Sequence, residues 1–174
     1  MQRLELWESL ARFVSVLDSL RAPYTLDGGT LLGVIREGCL LRHDVDVDIT
    51  LLDQHGLLQR ARDAAVKDGF RVFREYDVSH AGCAKVQLKL TKPRVDVISK
   101  HKVDGDAVWV LRKDPERVKR MPAHYYERTV PLRVDGVMLR VPEDAEGYLA
   151  ARFGPDWRTP KRDWVPLRDD RAYS

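Results

Sequence analysis

Leu6, Leu10, Phe13, Val14, Leu17 and Leu20 recur at steps of three and four, which draws one apolar stripe on a helix that Pro23 stops. Tyr24 to Asp27 then reads as a short strand. Gly28 and Gly29 break it, and Thr30 is placed to cap a short helix through Leu31, Leu32, Val34 and Ile35 that ends near Gly38. The period next falls from about 3.6 to two: Val45, Val47 and Ile49 alternate with Asp44, Asp46 and Asp48. This predicts a strand with β-branched residues on its core face and three carboxylates on the other.

Asp53 or a near neighbour opens the next predicted helix, with Leu57, Leu58, Ala61, Ala65 and Val66 facing inward. Gly69 ends it before a strand at Phe70 to Phe73. Val86, Leu88 and Leu90 alternate with Lys85, Gln87 and Lys89, and Val95, Val97 and Ser99 alternate with Arg94, Asp96 and Ile98, giving two more strands. Asp96 therefore points away from its valine neighbours. A strand at Ala107 to Leu111, a mixed-charge stretch from Arg112 to Arg120 and a hairpin around Asp135-Gly136 lead to a last helix from about Glu143 to Phe153, closed by Gly154. No repeat, low-complexity tract or long linker divides the chain.

Length and composition narrow the reading. A chain of 174 residues fits one domain over residues 1–174, and at this size folding removes roughly 70% of the unfolded chain's surface. Cys39 and Cys83 are too few for a disulfide framework and have no C-x-x-C partner, which favours a reducing, cytosolic compartment. No apolar run approaches the roughly 20 residues of a membrane span, and the acidic residues near the start do not suit a signal peptide. The net charge of +3 is spread over interleaved signs, so global electrostatics do not call for a nucleic-acid partner. His43, His55, His80, His101 and His124 show no metal-ligand spacing with cysteine. His43 alone is near enough to the acidic strand to contact a ligand.

The aspartates carry the candidate chemistry. Residues two apart on a strand stand about 6.5–7 Å apart on one face, so Asp46 and Asp48 can turn their oxygens to one hard cation, with Asp44 in reach. Without a cation, two carboxylates near 4 Å repel by roughly 4 kcal/mol at an effective dielectric of about 20. An isolated D-x-D more often marks a solvent-facing edge strand, but the glycine turn upstream and Asp96 downstream favour a site for Mg²⁺ or Mn²⁺. Asp96 can act as a further ligand or as the base for an acceptor hydroxyl.

The glycine turn supplies the complementary part. Without Cβ atoms, Gly28 and Gly29 let backbone N–H groups approach phosphate oxygens, and the following helix turns its positive end toward them. Thr30 can add a hydroxyl. Arg36 and the strand lysines Lys85 and Lys89 are candidates to neutralise phosphate oxygens or a leaving group.

A glycine pair, a D-x-D strand and a third acid on a later strand together resemble the nucleotidyltransferase fold. The fuller string GGTLLGVIREGCLLRHDVDVDI resembles the LicD family, relatives of fukutin and fukutin-related protein, whose pattern is approximately GTLLG-x-x-R-x-G, a spacer and an acidic strand. The match covers Gly29 to Gly33, Arg36, Gly38, Asp44, Asp46, Asp48 and Ile49. VPEDAEGYLAARFGPDWRTP, from Val141 to Pro160, is similar to the family's closing pattern. Read from the residues alone, it is a helix that packs Tyr148, Leu149 and Phe153 into the core with Trp157 as a lid. Members usually carry Pro-Trp-Asp-Asp-Asp before the last aspartate, where this chain has Arg42-His43-Asp44-Val45-Asp46. The chain also lacks the long insertions that could build a large acceptor site.

The resemblance implies an α+β fold, a nucleotidyltransferase-like mixed β-sheet flanked by helices. It further implies metal-dependent transfer of a phospho-alcohol, such as phosphocholine or a polyol phosphate, from a CDP-activated donor to a hydroxyl of a sugar or glycan. Asp44, Asp46, Asp48 and Asp96 would serve the metal, and Gly28, Gly29, Thr30, Arg36 and Lys85 the donor. A rival reading is transfer of NMP from an NTP to a small molecule, sugar or protein. A reading from another class is a non-catalytic ligand or nucleic-acid binding module resting on the pI near 8.9 and on Arg71, Arg74, Lys85 and Lys89.

Overall fold

The computed structural model describes residues 2–78, 83–111 and 114–172. His80 and Arg112 lie outside the described residues, as does the Cys83 side chain. The elements in order are α1 (Gln2–Ser19), β1 (Thr25–Leu26), α2 (Gly28–Glu37), β2 (Asp46–Leu52), α3 (His55–Lys67), β3 (Arg71–Val78), β4 (Cys83–Lys89), β5 (Arg94–Val103), β6 (Asp106–Leu111), β7 (Asp114–Pro122), α4 (His124–Glu127), β8 (Thr129–Val134), β9 (Val137–Pro142), α5 (Ala145–Phe153) and α6 (Pro166–Asp169).

Seven strands form one mixed sheet in which β1, β2, β5, β4 and β3 lie side by side, with β6 and β7 continuing from the far end of β5. Among the described residues, β2 and β5 run parallel and the other pairs of this sheet are antiparallel. The β8–β9 hairpin stands apart and turns at Asp135 and Gly136, both with positive φ, as the Asp-Gly pair demands.

The alternation along the central strands assigns one face to the core. Val47, Ile49, Leu51, Val86, Leu88, Val95 and Val97 are buried with the α1 stripe of Leu6, Leu10, Phe13 and Leu17 and with Leu58, Ala61 and Ala65 of α3. Phe13 meets Phe70 edge to face at 5.9 Å. Each such aliphatic or aromatic side chain contributes roughly 1.5–3 kcal/mol on burial, so this layer fixes the position of β2 and β5. Their opposite face, carrying the aspartates, turns toward α2, α4 and α5.

Several expectations need correction. Strand β2 begins at Asp46 rather than near Asp44, and Val45 is 51% exposed instead of facing the core; its carbonyl accepts from Arg94 N–H at 3.4 Å, but the paired register begins one residue later. Asp53 has φ of 49° and leaves Gln54 as the N-cap of α3. The Asp53 carboxylate instead accepts from Lys102 N–H. Val66 is exposed because it lies off the stripe of Leu58, Ala61 and Ala65. Strand β3 starts one residue late and extends to Val78, with a register shift between Val72 and Arg74 that leaves Val72 and Phe73 exposed. The mixed-charge stretch contains β7, paired to β6.

Candidate functional site

Strand β2 lies between β1 and β5, but β1 pairs only with its Ile49 and Thr50; beside Asp48 the edge is closed by the start of α2, with Asp48 N–H donating to Thr30 Oγ1 and Asp48 O accepting from Asp27 N–H. Its parallel register sets Asp46 beside Arg94 and Asp48 beside Asp96, and neighbours in a parallel pair project from the same face. Asp46, Asp48 and Asp96 therefore share one side of the sheet. Each is answered differently. Asp46 pairs with Arg94 Nη2 at 2.5 Å. Asp96 is buried, receives Gln87 Nε2 on both oxygens at 3.0 and 2.9 Å, and pairs with Lys85 Nζ at 2.6 Å. Asp48 faces the start of α2.

That start is shaped by a residue that the sequence pattern does not single out. Asp27, not Thr30, is the N-cap of α2: its Oδ1 accepts from Gly28 N–H at 3.0 Å. Thr30 is buried, and its Oγ1 accepts from the backbone N–H of Asp48 at 2.9 Å, joining helix to strand. Gly28 has φ of 53°, and a Cβ there would stand 2.9 Å from Asp48 Oδ2; one on Gly29 would stand 3.5 Å from Asp44 Oδ2. The glycine pair thus lets two carboxylates close on the helix start. Gly28 N–H also lies 3.2 Å from Tyr148 Oη, so it is committed within the protein. The next donors, on Gly29 and Thr30, are among those a helix start leaves without intrahelical acceptors.

Below this turn lies a buried charge network. Asp27 Oδ2 pairs with Lys100 Nζ at 2.5 Å and accepts from Thr50 Oγ1 at 2.8 Å; its Oδ1 meets Arg152 Nη1 at 2.8 Å and accepts from Tyr148 Oη. Lys100 also donates to Tyr126 Oη at 2.9 Å and stands 3.7 Å from the Trp109 ring centre. Asp170 joins Arg152 to Lys119, at 3.2 and 2.6 Å. Burial alone would raise the Asp27 pKa, but the charges of Lys100 and Arg152 overcome it and hold the carboxyl well below its ordinary range. Burial lowers Lys100 to about 8 against the pull of Asp27. The sequence signals were slight. Lys100 follows Asp96 and Ile98 on one strand face, and Arg152 stands one turn beyond Tyr148.

A cavity of about 390 Å³ opens over the acidic face, lined by Asp44, Asp46, Asp48, Gly29 and Arg36 on one side and by Arg152, Phe153, Trp157 and Trp164 on the other. The segment after α5 makes the second wall, and Trp157 is buried in it. Arg36 fastens this wall to α2: Nη1 donates to Trp157 O at 3.3 Å while Nη2 pairs with Glu37 at 2.8 Å. Asp96 and Lys85 are not among the residues that line this cavity. Lys89 is elsewhere, 3.8 Å from the Phe73 ring centre, with Arg74 over the same ring at 4.9 Å.

Burial, followed by the neighbouring Asp46, pushes Asp48 up to about 7. Burial, opposed by His43 and reinforced by Asp46, pushes Asp44 up to about 6. Among the described residues no three His, Cys, Asp or Glu side chains stand close enough, as placed, to hold a metal ion. The donor chemistry nevertheless suits a hard divalent cation: oxygen-only ligands, two of them alternate residues of one strand, in a field that resists a second negative charge.

The LicD/FKTN/FKRP nucleotidyltransferase-domain model matches residues 21–144. Ribitol 5-phosphate transferase FKRP of Mus musculus and of Homo sapiens are each 30% identical to the chain over 166 residues, covering 85% of it. The chain spans 31% of the length of these curated relatives. The crystal structure of ANT(2")-Ia in complex with adenylyl-2"-tobramycin superposes with a TM-score of 0.53 at 16% identity, over 92% of this chain and 81% of that one, a likeness of fold.

Proposed function

Because the chain belongs to the LicD/FKTN/FKRP nucleotidyltransferase-domain family, we propose that it is a metal-dependent transferase moving a phospho-alcohol of the polyol-phosphate class from a CDP-activated donor to a hydroxyl of a sugar or glycan. The observation that carries this reading is the closure of Asp44 and Asp48 on the Gly28-Gly29 helix start within one cavity. Carboxylates and helix-terminal N–H groups are opposite halves of a diphosphate site: one recruits a cation, the other takes anionic oxygens directly. The relatives named for ribitol 5-phosphate transfer favour a polyol over choline.

In this reading Asp46 and Asp48 hold Mg²⁺ or Mn²⁺, with Asp44 assisting. The bound ion supplies charge neutralisation at the diphosphate. Gly29 and Thr30 N–H groups orient the donor oxygens, and Arg36 adds a guanidinium at the cavity wall. Asp96 acts by fixing Lys85, which in turn tempers the charge around Asp48. Trp157 and the wall it belongs to exclude water, which favours transfer to the acceptor over hydrolysis.

The test is incubation of the purified protein with Mn²⁺ or Mg²⁺ and, separately, CDP-ribitol, CDP-choline and each NTP, with a panel of sugar acceptors. Product mass distinguishes the chemistry: a ribitol-phosphate adduct with release of CMP is expected. An NMP adduct with release of pyrophosphate would replace this reading by nucleotidyl transfer.

A further inference from the structure

A second groove, of about 690 Å³, adjoins the cavity and shares with it Arg36, His43, Asp44, Lys161 and Trp164. Its character differs. The acidic face is left behind, and Arg36, Arg42, Lys161 and Arg162 face only Glu37 and Asp44. Two of these cations are already engaged, Arg36 by Glu37 at 2.8 Å and Lys161 by Asp156 at 2.9 Å. Arg42 and Arg162 are exposed, and among the described residues their side chains have no hydrogen-bond or ion-pair partner. Two buried donors in the shared wall, Arg36 Nε and Trp164 Nε1, also lack a hydrogen-bond acceptor there.

We propose that this outer groove is the acceptor subsite and that it selects an acceptor carrying an oxyanion, a phosphate ester or a carboxylate, close to the hydroxyl that is modified. The assignment of that molecule as acceptor rests on the transferase reading. Two guanidinium groups offer planar pairs of N–H donors matched to such oxyanions. The position also fits the division of labour. The donor's diphosphate belongs beside the aspartates and glycines of the inner cavity, and the shared wall at Asp44 is where the two ligands would meet.

Binding tests this without turnover. Glucose, glucose 6-phosphate and glucuronate are titrated by calorimetry into the full chain, into R42A/R162A and into the charge-reversed R42E/R162E. CTP with Mn²⁺ is titrated in parallel. The expected result is that one or both anionic sugars bind at least about 10-fold more tightly than glucose, the difference a single charge-assisted contact provides. R42A/R162A should lose that preference and R42E/R162E should reverse it, with CTP affinity unchanged in both. Preference for glucose 6-phosphate over glucuronate identifies a phosphate ester, and the converse a carboxylate. Equal binding of all three sugars, or an anionic preference that persists in both variants, overturns the proposal. So does a parallel fall in CTP affinity, which would give the groove to the donor. If CTP fails to bind while the sugar preference behaves as expected, the transferase reading falls and the oxyanion groove stands. Both arginines are exposed, so unchanged melting curves verify that the variants fold.

Discussion

Lys100 Nζ stands 2.5 Å from Asp27 Oδ2, and the lysine has no solvent exposure. This pair ties the end of β5 to the N-cap of α2. Arg152 and Tyr148 extend the tie to α5, so the helix start that faces Asp48 is fixed from below by charges rather than by apolar packing. The arrangement puts the glycine turn on a rigid base, as a site that must position a diphosphate requires.

Substituting Lys100 with Met leaves Asp27 buried with only part of its compensation. Removal of one partner of a buried pair costs about 3–5 kcal/mol, and the urea midpoint of Lys100→Met should fall accordingly. Tyr148→Phe, which removes one hydroxyl but no charge, should cost about 1–2 kcal/mol. A Lys100→Met variant as stable as the parent would show that the pair contributes nothing net.

The two glycines should respond differently to the same change. Gly28→Ala places a methyl group 2.9 Å from Asp48 Oδ2 on a backbone with φ of 53°, so both strain and displacement of the carboxylate follow. A loss of about 1–2 kcal/mol should accompany loss of transfer activity. The Gly29 methyl would meet Asp44 Oδ2 at an ordinary 3.5 Å, and Gly29→Ala should fold normally. Thermal melts of the two variants side by side decide this; equal losses would refute the steric account.

How much of this was legible depended on the range of the interactions. The α1 stripe and the alternation of Asp46 with Val47 and Asp48 with Ile49 are local periodicities, and the fold keeps them because burial rewards them. Thr30 looked like a cap because the strand to which its hydroxyl is bonded lies 18 residues away. Asp27 carries no local signal because its partners, Lys100, Tyr148 and Arg152, come from distant segments. A lysine in a strand reads as a solvated charge until tertiary structure encloses it. Likewise, nothing local shows that Trp157 and Trp164 roof the aspartates. Val45 failed for the opposite reason: its pattern was sound, but the ladder stops short of it.

The acidic face should also write itself into the pH dependence of stability. Asp48, pushed up to about 7, and Asp44, pushed up to about 6, titrate near 3.9 when unfolded. The folded state therefore binds more protons than the unfolded state between roughly pH 4 and 7, and stability falls as pH rises through that window. Asp27 has the opposite sign: its contribution is full above about pH 4 and is lost only as strong acid approaches its depressed folded pKa. In the absence of divalent cations, parent minus Asp48→Asn stability should decline between pH 5 and pH 8. The decline should be of the order of 2 kcal/mol, since water screens a half-buried carboxylate. Added Mg²⁺ at pH 8 should recover part of it. Urea titrations across this range measure the difference, and a flat one would dissociate Asp48 from the site's electrostatics.

Asp46→Asn and Asp48→Asn separate catalysis from folding. Each keeps the side chain's shape but removes a charge that would hold the cation and, through it, the donor. Turnover should drop by at least about 100-fold. Asp48→Asn should be as stable as the parent or more so near neutral pH, because it relieves repulsion from Asp46 and Asp96. Asp46→Asn gives up a half-exposed pair with Arg94, which is worth less than about 1 kcal/mol. Asp104→Asn, in an exposed turn with φ of 49° that asparagine tolerates, should leave both properties unchanged. Retained activity in both Asp46→Asn and Asp48→Asn would remove these carboxylates from the reaction, whatever their geometry.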